Sequence, residues 1–172
     1  AKAAVTLHNP TTDSNGAATW DCIYFGNYYQ SNSLTKEPIK WRVLSVHGND
    51  AFLLADQNLD AKPYNNAHTN VTWATCTLRA WLNGTFLNTA FTSAEQAAIK
   101  NTMVVNDDNP YGTEGGVNTN DKVYLLSIAE ASNATYAFTA DTLYSKNRMA
   151  TNTVYAKERG AYTSPGNDKY GG

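Results

Sequence analysis

The chain has 172 residues, of which only 16% are charged, and its formal net charge is −2. This length fits one domain with a single core, and the weak negative charge argues against a nucleic-acid-binding protein or one that binds acidic membranes. No run approaches the roughly 20 apolar residues that cross a bilayer, so no membrane span is predicted.

The first third of the chain contains the clearest strand signals. Residues 1–19 are polar and without periodicity, so we interpret them as a lead-in to a single domain over residues 20–172. A β-branched and aromatic stretch begins at Trp20 and predicts a strand that bulges or bends at Gly26. A second predicted strand, residues 39–46, shows the period of two that is typical of a half-buried strand.

A hairpin follows directly. Residues 47–50 supply turn residues, and residues 51–55 then form an almost wholly apolar run. A strand that is apolar on both faces is typical of a central position in a sheet. We therefore predict that this strand has a neighbour on each side.

Two short helices are predicted next. Leu78, Trp81 and Leu82 share one helical face, and Asn83-Gly84 is predicted to end that helix. A capping-box pattern at residues 92–96 predicts the second helix. The two helices together are expected to cover a sheet.

The last third of the chain is rich in turn residues. Residues 106–120 form a long loop, and loops of this length in a compact domain are commonly functional or disordered. Residues 122–126 are predicted to form a strand, and residues 127–130 begin a helix with a capping-box pattern. Residues 141–159 have a weak helical pattern.

These stretches, together with the motifs IKWRVLSV, DAFLLADQNLDAKPYN and NTNDKVYLLSIAEA, resemble the DUF6273 family of secreted and cell-surface proteins from gut Firmicutes. The resemblance covers roughly residues 20–162 and implies a C-type-lectin-like fold, of the kind shared by formylglycine-generating enzymes and bacterial variable adhesins. The expected class is therefore α+β, with a mixed or antiparallel sheet and short helices. The expected location is extracellular, on a bacterial cell surface.

In proteins that this chain resembles, the point after Gly172 is followed by a segment beginning Trp-Trp-Leu-Arg-Ser-Pro-Gly and later by a Val-Arg-Pro-Ala motif. Neither motif occurs here. The resemblance therefore implies an incomplete sheet with an open edge. We expect a second polypeptide, or an adjacent copy of the chain, to complete it.

The chain has two cysteines, Cys22 and Cys76, which suit either one disulfide in an exported protein or two buried thiols in a cytosolic one. The family resemblance implies export and hence favours the disulfide. An alternative reading treats Cys76 as a reactive thiol of the formylglycine-generating type, because Arg79 lies nearby in the sequence.

Candidate ligand-binding residues lie mainly in loops. Tyrosine rings stack on sugars, which indicates Tyr64, Tyr111 and Tyr136, with Asn118 and Asn120 as polar neighbours. Carboxylate and amide oxygens suit Ca²⁺, and those concentrated around the long loop of residues 106–120 belong to Asp107, Asp108, Asn109, Glu114 and Asp121. Asx turns give the same composition without a metal, so calcium is left open and no other cofactor is predicted.

The sequence contains no nucleophile elbow, phosphate loop, dinucleotide fingerprint or Cys-x-x-Cys pair. We therefore expect a non-catalytic recognition, adhesion or surface-assembly module that binds a glycan or a surface protein. An oxidoreductase of the formylglycine-generating type and a purely structural spacer are the alternatives. Fold resemblance alone does not decide among them.

Overall fold

The computed structural model describes residues 5–138 and 147–164, and over these residues the protein is α+β. The predicted fold class is therefore confirmed. Within the predicted lead-in, β1 (Thr11–Thr12) and β2 (Ala18–Thr19) form a small antiparallel hairpin. The Asp13 carboxylate closes its turn by accepting the backbone N–H groups of Asn15 and Ala17.

The central sheet has three antiparallel strands, β3 (Cys22–Tyr29), β4 (Lys36–His47) and β5 (Asp50–Ala55), in the order β3-β4-β5. The predicted hairpin is confirmed, because β4 and β5 pair in antiparallel fashion from His47 and Asp50 onward. The predicted bulge at Gly26 is also confirmed, because the β3–β4 register shifts between Tyr24 and Asn27. The predicted central position of β5 is wrong. Among the described residues β5 pairs only with β4 and forms an edge of the sheet.

The other strands form two separate short pairs. Strand β6 (Gln57–Asn58) pairs in parallel with β9 (Thr151–Asn152), which holds the late part of the chain beside β5. Strand β7 (Thr102–Val104) pairs in antiparallel fashion with β8 (Thr119–Asp121), and this pair closes the base of the long loop.

The first helical segment is longer than predicted. Helix α1 (Thr77–Trp81) runs without a break through a π-helical stretch, Leu82–Phe86, into α2 (Leu87–Ala90). Asn83 and Gly84 therefore do not end the helix. The Asn83 side chain instead bonds residues across the fold, accepting the Lys122 and Val123 backbone N–H groups and donating to the Val123 carbonyl.

Three further helices are α3 (Ser93–Ala98), α4 (Ile128–Ala131) and α5 (Val154–Glu158). Both predicted capping boxes are present, Thr92 with Glu95 at α3 and Ser127 with Glu130 at α4. Single 3₁₀ turns occur at Trp73–Thr75 and Ala134–Tyr136.

The core lies between the sheet and the helices. Ile39 and Val43 of β4 are fully buried on the helix-facing side, and Phe91 packs on Phe25 and Trp41. On the opposite face of the sheet, the Arg42 guanidinium lies 5.0 Å from the centre of the Trp20 ring. Period-two alternation along β4 therefore builds two layers, one aliphatic and aromatic, the other partly polar.

Candidate binding groove

A cavity of about 570 Å³ lies beside β5, between the edge of the sheet and the α1–α2 segment. We call it the β5 groove and define it by six residues, Leu53, Leu54, Lys62, Trp81, Tyr124 and Leu126. Its walls are mostly apolar. All six of these residues are partly or fully exposed to solvent, although five of them are large apolar side chains.

Aromatic residues form the helical side of the β5 groove. The Trp81 ring lies 5.5 Å from the ring of Phe86, which is buried in the core. Trp41 also lines the groove and stacks on Phe91 at 6.3 Å. The groove is thus an exposed extension of the main hydrophobic core.

The backbone of β5 gives the groove a polar edge. The Asp56 N–H donates to the Lys40 carbonyl at 3.0 Å, and Leu54 is opposite Arg42 in the register. Residues along an antiparallel strand direct their backbone groups alternately to one side and the other. Leu53 and Ala55 therefore direct their N–H and C=O groups away from β4, and among the described residues no other strand pairs with them.

One end of the groove is charged. The Asp60 side chain is 7% exposed and accepts the Tyr28 hydroxyl at 2.7 Å, while the Arg159 Nε lies 3.6 Å from its second oxygen. Burial, together with the hydrogen bond to Asp60, raises the pKa of Tyr28 far above its ordinary value. The Lys62 ammonium lies 5.2 Å from the centre of the Trp81 ring.

The wall opposite the helices comes from residues 123–126. Tyr124 stacks on Phe52 of β5 at 5.8 Å, and burial raises the pKa of Tyr124 to about 12. The predicted strand over residues 122–126 is wrong, because the strand is Thr119–Asp121 and precedes this stretch. The Asn83 side chain takes over the backbone hydrogen bonds of Lys122 and Val123, which a strand would have made with a neighbour.

The three tyrosines predicted to bind ligand lie at separate places. Tyr64 borders a polar cavity of about 380 Å³ formed by its own loop, and burial raises its pKa. Tyr111 is 72% exposed in the long loop. Tyr136 packs between Phe52 and Phe138 on the far face of the sheet, where burial raises its pKa.

In the long loop of residues 106–120, side-chain oxygens accept hydrogen bonds from backbone groups of the same loop. Asn109 Oδ1 accepts the backbone N–H groups of Tyr111 and Thr113, and Asp108 accepts that of Gly115. Asn118 Oδ1 accepts the Asn106 N–H at 2.9 Å. The Asn109–Tyr111 contact is an Asx turn, the alternative to a metal site, and the other contacts link more distant parts of the same loop.

Two other candidate calcium ligands and the candidate ligand-binding residue Asn120 are exposed. Asp107 and Glu114 are exposed, and Asn120 is exposed on β8 opposite Met103. No group of three or more His, Cys, Asp or Glu side chains in residues 5–138 and 147–164 is placed to hold a metal ion. Calcium binding by this loop stays a prediction.

Asp121 has a different environment from the rest of that set. Its side chain is 1% exposed and pairs with Arg79 Nε at 2.8 Å. It also accepts hydrogen bonds from Trp73 Nε1 at 2.9 Å and Thr119 Oγ1 at 2.7 Å. This buried network ties β8 to the entry of α1, so the described contacts give Asp121 a structural role.

The predicted disulfide is wrong, because both cysteines are free. Cys22 is exposed at the start of β3, whereas Cys76 is buried at the N-terminus of α1. The Cys76 thiol lies 3.4 Å from the Arg79 N–H and acts as the N-terminal cap of α1.

None of the residues proposed from the sequence as ligand contacts defines the β5 groove. The available signal was the apolar run of residues 51–55, which predicts neighbours on both sides of the strand. Within the part of the chain that the structure describes, only one side of β5 has a strand neighbour, and that difference locates the groove.

The family described as "Domain of unknown function (DUF6273)" matches residues 48–168, which is more than half of the chain. This range includes β5, the α1–α2 segment, residues 123–126 and Lys62, and thus all six residues that define the groove. Comparisons with curated proteins and with solved structures found no match. No helix within the described ranges is long and apolar enough to cross a membrane.

Proposed function

We propose that this chain, which belongs to the DUF6273 family of domains of unknown function, is a non-catalytic recognition or assembly module whose β5 groove binds an apolar segment of a protein partner. One observation carries the proposal. Strand β5 has the sequence of a central strand and lies at an edge, with every residue from Ala51 to Ala55 partly exposed. Exposed apolar edges of this kind mark interaction sites or aggregation sites.

The lining of the groove favours a protein partner over a glycan. Leu53, Leu54 and Leu126 present aliphatic side chains, and Trp81 is covered on one side by Phe86. Glycans require a flat exposed ring together with several hydrogen-bonding side chains. Aliphatic walls with an aromatic anchor are typical of sites that take apolar side chains.

The cysteines support a non-catalytic role over the formylglycine-generating alternative. Cys76 is 2% exposed, and its sulfur accepts the Arg79 backbone N–H as a helix cap. Cys22 lies on β3 and is exposed. Reactive thiols are at least partly exposed, whereas Cys76, the thiol to which the formylglycine-generating alternative assigns the chemistry, is buried.

The extracellular location, the bacterial cell surface and the C-type-lectin-like form of the α+β fold are part of the same proposal. They are supported by the sequence motifs that resemble secreted members of the family. The low charged fraction, 16%, and the abundance of neutral hydrogen-bonding residues agree with export. A purely structural spacer would not need an apolar groove.

A parallel screen of a displayed peptide library and a glycan array tests the function. We expect peptides to be enriched for apolar residues, and we expect Trp81→Ala to reduce their binding at least tenfold. Tyr111→Ala is the matched control, because it removes an exposed aromatic ring that does not line the groove. Glycan binding that is lost in Tyr111→Ala and kept in Trp81→Ala would overturn the proposal.

A further inference from the structure

The geometry of β5 points to the manner of binding: we propose that the partner segment is extended, adds a strand to the open edge of β5, and carries an acidic residue at the Lys62 end of the groove. This inference rests on the proposed function, since it specifies what the β5 groove binds. It requires three features, namely free backbone groups, apolar walls and a complementary charge.

The backbone of β5 supplies the first feature. Leu53 and Ala55 direct two N–H and two C=O groups outward, because Leu54 and Asp56 use theirs toward β4. An extended peptide satisfies such a row of donors and acceptors by main-chain hydrogen bonds. A helix or a sugar does not match its spacing.

Side chains along the groove supply the second feature. Leu54 is opposite Arg42 on one face of the sheet, and Leu53 is opposite Val43 on the other, so an added strand would meet apolar groups on both faces. On the helix-facing side, Trp81 and Leu78 line the space that the new strand would cover. The partner strand is therefore apolar at successive positions.

Charges at the end of the groove supply the third feature. Lys62 lines this end together with Asp60, whose side chain is only 7% exposed. Asp60 already pairs with Arg159, whereas Lys62 is held over Trp81. Because Arg159 pairs with Asp60, the Lys62 ammonium is the charge that the bound segment would meet, and it favours an acidic residue on the partner.

A synthetic peptide with the sequence of residues 50–56, Asp-Ala-Phe-Leu-Leu-Ala-Asp, is a suitable probe, since it is apolar in the centre and acidic at both ends. Two further peptides carry N-methyl groups either at the second, fourth and sixth positions or at the third and fifth. N-methylation removes a backbone donor, and only alternate donors of an added strand face β5. We expect one methylated peptide to lose at least tenfold in affinity by calorimetry and the other to stay within about twofold of the parent.

Variants of the protein test the same contact from the other side. Ala55→Pro removes an outward N–H and leaves the bonds to β4, because proline is tolerated at strand edges. We expect this variant to bind the parent peptide with an affinity at least tenfold lower than that of the wild type, and to have an unchanged circular dichroism spectrum. Lys62→Gln is expected to weaken it several-fold, and less in high salt. Should Ala55→Pro fail to fold, the two methylated peptides still decide the question.

The outcomes separate the two proposals. Equal affinities of the two methylated peptides, with binding still lost in Trp81→Ala, would overturn strand addition and leave the groove function standing. If the parent peptide did not bind, and no library peptide bound in a way that depends on Trp81, the groove function itself would be overturned. Sedimentation that shows a dimer of the chain alone, abolished by Leu53→Lys, would make the occupant a second copy and overturn the partner described here.

Discussion

Gly26 shows how one residue fixes the approach of the helices to the sheet. Its φ is +70°, and a Cβ built there would lie 2.6 Å from Phe91 Cδ1 and 2.9 Å from the Ala90 carbonyl. We expect Gly26→Ala to destabilise the protein by about 2 to 4 kcal/mol, from left-handed backbone strain and overpacking together. Gly48→Ala is the control, with φ +59° and open space around it, and should cost about 1 kcal/mol. Equal urea midpoints for the two variants would contradict the close contact.

The ion pair of Arg79 with Asp121 depends on burial. Arg79→Met leaves a carboxylate that is 1% exposed without its cation, and such a loss costs about 3 kcal/mol or more. Lys100→Met breaks a pair with Asp50 whose side chains are 67% and 49% exposed, and it should cost under about 1 kcal/mol. Urea unfolding at neutral pH compares the two variants. Similar losses would show that Asp121 is reached by solvent.

Asp56 makes the stability of the folded protein depend on pH. Burial alone would raise its pKa, but the Arg42 hydrogen bond and the charges of Arg42 and Lys40 outweigh it and hold the pKa below the usual 3.8. A carboxyl whose pKa is lower in the folded state than in the unfolded state stabilises the protein at pH values above its unfolded-state pKa. This stabilisation is lost as the pH falls through the folded-state pKa. We therefore expect wild type to exceed Asp56→Asn in stability at neutral pH, with the difference shrinking below about pH 4. A difference that is constant between pH 7 and pH 3 would contradict this assignment.

At the scale of elements, the helix that begins at Thr77 depends on the Cys76 thiol as its cap. We expect a maleimide reagent to label one cysteine, Cys22, in the native protein, because Cys76 is 2% exposed. Both should be labelled in denaturant without a reductant. If neither cysteine were labelled in denaturant without a reductant, the two would be joined in the disulfide that the sequence analysis predicted.

Elements that depend on local signals could be predicted from the sequence. The β4–β5 hairpin has its turn residues in place, and both capping boxes pair residues three apart. The bulge at Gly26 followed from a glycine within a strand pattern. These features need no information from distant parts of the chain.

Elements that depend on distant contacts could not be predicted. Asn83-Gly84 looks like a helix end, but the Asn83 side chain bonds Lys122 and Val123, and the helix continues through a π-helical stretch. The same bonds replace the predicted strand at residues 122–126. The groove escaped prediction for a similar reason, because the apolar pattern of β5 reports that neighbours are needed and not whether this chain supplies them.

At the scale of the whole molecule, the core formed by residues 5–138 and 147–164 is open along the edge of β5. Tyr28, Ile39 and Phe86 are buried, whereas Trp81, which packs against them, and Leu53, which lines the groove, are partly exposed. Burying apolar surface contributes about 25 cal/mol per Å², so covering this edge would stabilise the fold. Binding and stability are therefore coupled at the β5 groove.

That coupling gives a prediction for the whole domain. A groove ligand at about 100 times its Kd should stabilise the folded state by about 2.7 kcal/mol, which corresponds to a rise in Tm of about 5 to 10 °C for a domain of this size. The peptide of residues 50–56 is the probe, and its effect should vanish in Trp81→Ala, whose own Tm is lower because an aromatic ring is lost. Tyr111→Ala should show the full shift, since its ring lies in the long loop. A shift that is equal in wild type and Trp81→Ala would place the bound peptide elsewhere, and the open edge of β5 would then be a consequence of packing without a role in recognition.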